Sequence, residues 1–340
     1  MTSEERLSMK EAERILERFK EISVLVIGDL MLDEYIVGDA ERISPEAPVP
    51  VLLRRERKVG PGGAANVVYN LTSMGAKAIV GGIVGKDAAG EELKRLLSEI
   101  GADTTAVIID ESRPTTLKTR IIAHKQQLVR IDHEVRRTID DDTCNALIER
   151  TSPLITHVDA VIISDYAKGV VTSKLTDSLR SAREQHRFLL CGGPKPKNIA
   201  SFVGFDLLSF NMSEARESAM LNGELSDDYR LIGKTLASRL QIRWLVITRG
   251  EEGASLFDMS GWLCDIPSYR VTVYDVAGAG DTFLAAIVLA LCCGANFVTA
   301  AKIACAAAAA AVCKSGVAPV TVEEIKRIIS YGSIAIKGEI

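Results

Sequence analysis

The stretch Tyr274-Asp275-Val276-Ala277-Gly278-Ala279-Gly280-Asp281-Thr282-Phe283 places a Gly-Ala-Gly turn at the mouth of an apolar segment that runs from Phe283 to Cys293. A turn that opens a buried helix leaves the first backbone N–H groups without intrahelical partners and gathers partial positive charge there, which suits an anion. Gly278 and Gly280 carry no Cβ and let a ligand approach the backbone closely. Asp281 in the first turn would repel a bound phosphate unless it takes a proton from an attacking hydroxyl, so the pairing points to phosphoryl transfer to an alcohol. An ordinary N-capped helix, with Asp281 favourable to the dipole, is the other reading of the same residues.

Further candidates stand at the ends of apolar runs of strand length. The run Ile22 to Ile27 ends in Gly28-Asp29, with Asp33 just beyond. At the carboxyl end of a buried parallel strand these two carboxylates can accept hydrogen bonds from sugar hydroxyls, or serve as turn or cap residues. Gly60-Pro61-Gly62-Gly63-Ala64-Ala65-Asn66 brings a second glycine turn to a helix start, where Asn66 can reach a ligand hydroxyl or cap the helix. The stretches Thr115 to Ile122 and Gln127 to Asp132 read as a hairpin carrying Lys118, Arg120 and Arg130, which can bind a substrate phosphate or form a solvated face. Thr248, Gly250 and Gly253 follow another strand and can position nucleotide phosphates or form the turn into Ala254 to Phe257.

The elements that position these residues alternate along the chain. Helical spacing from Glu4 to Glu21 precedes the first strand. Strands ending at Val84, Ile109, Ser164, Cys191, Ser209 and Thr248 are interleaved with helices around Glu91 to Ile100, Thr143 to Leu154 and Ser173 to Glu184. This pattern predicts an α/β fold, a doubly wound, mostly parallel sheet flanked by helices. The short strands Tyr35 to Gly38 and Val49 to Leu53, joined by a connection stiffened by Pro45 and Pro48, would combine with the hairpin into a small second sheet. No repeat and no linker asks for a second full domain.

With 47% hydrophobic and 25% charged residues, the 340-residue chain can bury a large core, and its net charge of -4 gives no footprint for nucleic acid or an anionic membrane. The seven cysteines are scattered without metal-ligand spacing and read as free thiols in a reducing cytoplasm. No secretory signal is expected at the N-terminus. The apolar helix from Phe283 is interrupted at Gly294, short of the ~18 residues of a membrane span.

In their order along nearly the whole chain, Gly28-Asp29 with Asp33, Gly62-Gly63-Ala64-Ala65-Asn66, Gly82 to Gly90, Asn211-Met212-Ser213-Glu214, Thr248-Arg249-Gly250 and Gly278-Ala279-Gly280-Asp281 resemble the ribokinase-like, or phosphofructokinase B, sugar kinases. Arg42 to Pro50, Arg113 to Arg120, Gln126 to Asp132 and Ser164 to Gly169 are similar to the members that phosphorylate C1 of D-glycero-β-D-manno-heptose 7-phosphate for nucleotide-activated heptose and lipopolysaccharide synthesis.

The resemblance implies a single kinase domain over 1–340, standing alone, with a small β-sheet lid from about 34–55 and 115–132 that pairs into a homodimer. It implies Asp281 as the base and the amides of Gly278, Ala279 and Gly280 as the stabilisers of the transferred phosphoryl group. Asp29, Asp33, Gly62, Gly63, Asn66 and Lys168 would join the basic hairpin around the phosphorylated sugar. Lys195, Asn211, Glu214, Thr248, Gly250, Gly253 and the position of Cys305 would serve ATP, with Asn211 and Glu214 organising Mg²⁺ through water. Three positions depart from the pattern: Gly193 stands where Asp is usual, Cys305 where Asn is usual and Ala277 where Thr is usual. The first removes a carboxylate from the phosphate and metal region, and the second alters the adenine side. Other sugar kinases of this fold, and a sugar-phosphate binding protein that has lost catalysis, are the alternative readings.

Overall fold

The computed structural model describes residues 7–124, 126–220 and 226–331. Helix α1 (Met9–Leu16), capped by the Ser8 hydroxyl, leads into strand β1 (Ser23–Gly28). The chain continues through β2 (Leu30–Ile43), β3 (Pro50–Gly63), α2 (Ala64–Ser73), β4 (Lys77–Val84), α3 (Ala88–Glu99), β5 (Asp103–Ile109), β6 (Thr116–Ala123) and β7 (Gln126–His133). Its second half comprises α4 (Asp141–Ile155), β8 (Ala160–Ser164), α5 (Ser173–Gln185), β9 (Leu189–Gly193), β10 (Leu207–Asn211), α6 (Met212–Met220), α7 (Tyr229–Leu240), β11 (Trp244–Thr248), β12 (Ala254–Asp258), β13 (Gly261–Ile266), α8 (Ala279–Cys292), α9 (Phe297–Val312) and α10 (Val322–Tyr331).

Nine strands form the main sheet in the order β13-β12-β11-β10-β9-β8-β1-β4-β5, parallel except for the antiparallel edge β12 and β13. The two-residue period of a strand divides its side chains between two cores. On β1, Val24 and Val26 pack with α2, α8, α9 and α10, whereas Leu25 and Ile27 pack with α4, α5, α6 and α7. Strands covered on both faces read as unbroken apolar runs, which is how Val24 to Ile27 and Val161 to Ile163 stand in the sequence. Helix α8 is buried from Thr282 to Leu291, and the alanines of α9 allow it to pack closely beside α8.

The second sheet has the order β3-β2-β6-β7. Pairing is antiparallel for β2 with β3 and for β6 with β7, and parallel for β2 with β6, so the sheet is mixed. The strands expected as short segments near Tyr35 and Val49 are each 14 residues long. Charged residues such as Glu41 and Arg54 to Arg57 break an apolar reading, yet they suit a sheet that stands out in water. Register aligns Asp33 with Lys118, Tyr35 with Arg120, Arg120 with Arg130, and Lys118 with Asp132, so all six side chains belong to one face. Val129 and Ile131 alternate with them on β7 and are about half exposed, at 47% and 53%. The hairpin turn at Lys125 and the first residues of the helix expected from Glu4 lie outside the described residues.

Candidate active site

Strand β1 lies between β4 and β8, so the strand order reverses there, and in an open parallel sheet such a point is where ligands bind, beyond the carboxyl ends of the strands. Ser164, Gly193, Asn211 and Thr248 at the ends of β8, β9, β10 and β11 meet Gly278, Gly280 and Asp281 around a cavity of about 180 Å³, with Tyr166, Lys195 and Glu214 completing its wall. A larger cleft of about 710 Å³ adjoins it, shares Asn211, Thr248 and Gly280, and is further lined by Arg216, Tyr229, Arg249, Gly250 and Val276. The two spaces meet at the glycine turn.

Gly278 caps α8 with φ +78, a left-handed conformation, and a Cβ on it would sit 2.9 Å from the Asn66 amide nitrogen, so both backbone and space require glycine. Gly280 is different. A Cβ there would meet nothing within 4 Å, so the fold does not demand glycine at 280 and the open space belongs to the cavity. The Ala279 amide donates to Val276 O at 3.3 Å and is thereby tied into the turn, whereas the Gly280 amide has no partner among the described residues. Ala279 thus differs from the expected role as an anion donor.

Asp281 is held from two sides. Its Oδ1 accepts from the Tyr166 hydroxyl at 2.6 Å and its Oδ2 from Asn66 Nδ2 at 2.7 Å. Burial pushes the carboxyl up to about 6, opposed by these two hydrogen bonds and by Lys195, which favour the charged form. A carboxyl in that range is mostly ionised at neutral pH yet basic enough to accept a proton. A carboxyl acts as a base only when ionised, so with Asp281 in that role kcat/KM is expected to rise with pH through about 6 and level off above it. Tyr166→Phe removes a donor to the charged carboxylate, so the acidic limb should move upward by about one pH unit. A limb that stays in place or moves down in a pH–rate series would contradict this arrangement.

A buried polar relay stands behind Asp281. Asn70 Nδ2 donates to Asn66 Oδ1 at 3.3 Å and to the Asn66 carbonyl at 2.9 Å, which leaves the Asn66 amide nitrogen for Asp281. Asn70 Oδ1 in turn accepts from the Thr282 hydroxyl at 3.0 Å and the Val320 amide at 3.2 Å. Asn66 therefore holds Asp281 rather than capping α2, whose cap residue is Gly63, at φ +57.

The structure assigns the two expected sugar carboxylates different work. Asp29 is buried at 1% and accepts the amides of Tyr166 (2.7 Å), Lys168 (3.1 Å) and Val170 (3.1 Å). It shapes the loop that carries Tyr166 and Lys168, so it is not available as a sugar ligand. Asp33 pairs with Arg120 at 2.5 Å on the face of the small sheet, and Gly62 beside it leaves room for its carboxylate. The Arg120 guanidinium also lies 5.2 Å from the ring centre of Tyr35, whose hydroxyl accepts from the Val317 amide at 3.3 Å. Lys118 pairs with Asp132 at 3.1 Å and Lys168 with Glu134 at 2.6 Å, whereas Arg130 is about half exposed beside Asp132.

On the nucleotide side, Asn211 and Glu214 form a reciprocal capping box at the start of α6. Asn211 Oδ1 accepts the Glu214 amide at 2.8 Å and Glu214 Oε2 accepts the Asn211 amide at 3.0 Å. The other Glu214 oxygen accepts from Lys195 Nζ. The Thr248 hydroxyl donates to Phe210 O at 3.3 Å, and Gly250, at φ +61, lines the large cleft. Gly253 lines neither cavity: at φ +94, with a Cβ that would collide with the Ile266 carbonyl, it forms the turn into β12. Cys305 also lines neither, since it is packed in the core from α9 with its thiol pushed up to about 12 by burial. At Gly193 the nearest neighbours of a Cβ would be Leu284 at 3.5 Å and Ser209 O at 3.9 Å, so crowding does not exclude a carboxylate there.

Sequence reasoning passed over Tyr166, Asn70, Glu134 and Arg249. Tyr166 stands in the Ser164 to Gly169 stretch and Arg249 between Thr248 and Gly250, so position alone could have raised them. Asn70 gives no such signal, because its role depends on a contact with residues more than 200 positions away.

A mostly parallel sheet with a glycine turn and a buried carboxylate at its switch point, joined by a small second sheet, is the ribokinase-like fold. The model of the pfkB family carbohydrate kinases matches residues 21–324, and the chain belongs to that family; it is an ATP-dependent kinase. The bifunctional protein HldE of Geotalea uraniireducens is 38% identical over 319 residues, which cover 94% of this chain and 65% of that protein. HldE of Helicobacter hepaticus is 39% identical over 311 residues, 91% of this chain and 64% of that protein. The chain thus spans slightly under two thirds of these relatives. Among solved structures, phosphofructokinase-2 from Escherichia coli aligns with a TM-score of 0.74 at 21% identity over 92% of this chain and 99% of its own. Arabidopsis thaliana ribokinase complexed with ribose and ATP aligns at 0.68 and 17% identity over 91% and 98%. At these identities the structural likeness concerns the fold.

Proposed function

We propose that the chain transfers the γ-phosphoryl group of ATP to the anomeric hydroxyl of D-glycero-β-D-manno-heptose 7-phosphate, giving the 1,7-bisphosphate used for ADP-heptose and lipopolysaccharide core synthesis. The observation that carries this reading is the gathering of Lys118, Arg120 and Lys168, all largely buried: Lys118 and Arg120 share a face of β6, Lys118 and Lys168 share Glu134, and Lys168 stands two residues beyond Tyr166, which holds Asp281. Cations in that setting suit an acceptor that already bears a phosphate. The HldE relatives support the same acceptor class.

In this reading Asp281 takes the proton from the sugar hydroxyl as its oxygen bonds to the γ-phosphorus, and the bond to the ADP leaving oxygen breaks in line. The Gly280 amide and Lys195 stabilise the charge on the transferred group. The large cleft, with Thr248 and Gly250 at one end and Arg249 along its wall, has the room and polarity for the nucleotide. Among the described residues no cluster of three or more His, Cys, Asp or Glu forms a metal cage. Glu214 and Asn211, already engaged in their capping box, fit an Mg²⁺ held by nucleotide phosphates and water. That ion would supply neutralisation of phosphate charge. The half-exposed Val129 and Ile131 on the outer face of the small sheet support pairing of two chains through it. No described helix is long and apolar enough to cross a membrane.

The second reading is a kinase for an unphosphorylated sugar, favoured by the pairing of each of these cations with a carboxylate of the chain itself. ATP consumption measured with heptose 7-phosphate, fructose 6-phosphate and ribose separates the two. Turnover confined to the heptose phosphate is expected, and turnover on ribose alone would overturn the first reading.

A further inference from the structure

We infer that Glu134 is the specificity-determining residue of the acceptor site, a resident carboxylate that holds the phosphate-binding cations until a phosphomonoester dianion replaces it. This inference rests on the reading that the acceptor carries a phosphate. Glu134 lies within 2.6 Å of Lys168 Nζ, 3.6 Å of Lys118 Nζ and 2.7 Å of Arg136 Nε. Its side chain is 7% exposed, against 11% for Lys168 and 15% for Lys118. Charges so far removed from water interact strongly, and leaving either lysine unpaired would be costly.

The backbones of Lys118, Arg120 and Lys168 are held by strand pairing or by Asp29, whereas Glu134 stands just outside the β7 ladder. Lys118 and Arg120 are set by the register of β6, and the Lys168 amide is tied to Asp29. Glu134 follows the last residue of β7 in the segment 134–140, which has neither helix nor strand, so moving it away breaks no ladder hydrogen bond. Glu134 is shared by Lys118, Lys168 and Arg136, so its withdrawal takes the carboxylate from Lys168 and Arg136 while Lys118 keeps Asp132. The two positive charges so released match the charge of about −2 on a phosphomonoester at neutral pH. A dianion with three acceptor oxygens can replace the single charge of Glu134, whereas a neutral sugar would leave the lysines paired as they are.

The test is calorimetric titration of inorganic phosphate into the full chain, saturated with ADP, for the wild type and for Glu134→Gln, Glu134→Asp, Lys118→Met and Lys168→Met. Glu134→Gln is expected to tighten phosphate binding by about ten-fold, because it removes the competing charge while keeping the shape. Glu134→Asp, too short to reach both lysines, should tighten it by less, and each lysine variant should weaken it. Structural damage would not raise affinity, so a gain separates competition from a merely structural role. If the lysine variants weaken binding but neither Glu134 variant tightens it, the inference about Glu134 falls and the phosphorylated acceptor stands. If the lysine variants also leave binding unchanged, the phosphate subsite itself is misplaced and both fall. If Glu134→Gln does not fold, the Glu134→Asp result decides.

Discussion

Asp281→Asn is expected to lower kcat by about 10²–10⁴-fold, the range a positioned general base contributes. Nucleotide affinity should change little, since the large cleft is built by Thr248, Arg249 and Gly250 rather than by this carboxylate. The size of the effect follows from how completely the side chain is committed. Tyr166 and Asn66 fix both oxygens at 2.6 and 2.7 Å, and burial pushes the carboxyl up to about 6, near the pH at which it must work. The amide is close to isosteric, can keep the Tyr166 contact and cannot take a proton. Steady-state rates together with a nucleotide-binding titration check this, and a kcat within about three-fold of wild type would remove Asp281 from the role of base.

Gly280→Ala should separate stability from activity in opposite directions. No protein atom lies within 4 Å of a Cβ at that position, so the substitution meets no clash. Alanine also favours the helix, by up to about 1 kcal/mol. The same methyl would stand in the space where the phosphoryl group must approach the turn, and kcat/KM for ATP should fall by at least about 10²-fold. Thermal unfolding and kinetics on one preparation read both effects. Unchanged kinetics would mean that the phosphoryl group does not approach Gly280, and a large loss of stability would mean that the open space is absent.

Much of the fold is legible in the sequence because its physical signals are local. The apolar runs that end at Gly28, Ser164 and Thr248 are long enough for one strand each and are buried on both faces, so their carboxyl ends announce where the site must be. The glycine turn before Asp281 is equally local, since its backbone geometry and its acidic residue are adjacent. The small sheet was harder to size. Its strands carry Glu41 near the end of β2 and Arg54, Arg55 and Glu56 near the middle of β3, because much of that sheet faces water.

The parts of the site that escaped sequence reasoning are those made by distant contacts. Asn66 and Asp281 are 215 residues apart, and nothing near either one says that they share a hydrogen bond. Asp29 stands at the expected strand end but is turned toward the amides of the loop from Tyr166 to Val170, an orientation that only the packed structure reveals. Gly253 shares its residue type with Gly250 but meets the Ile266 carbonyl instead of a cleft. Cys305 takes the place of a polar residue expected on the nucleotide side, and burial among the alanines of α9 removes it from both cavities.

Phosphorus NMR of the product formed from ATP and D-glycero-β-D-manno-heptose 7-phosphate tests the central claim most directly. A second phosphorus resonance coupled to the anomeric proton is expected beside the retained 7-phosphate, and it should be absent with Asp281→Asn. A phosphate at any other carbon, or turnover undiminished in the variant, would contradict that claim.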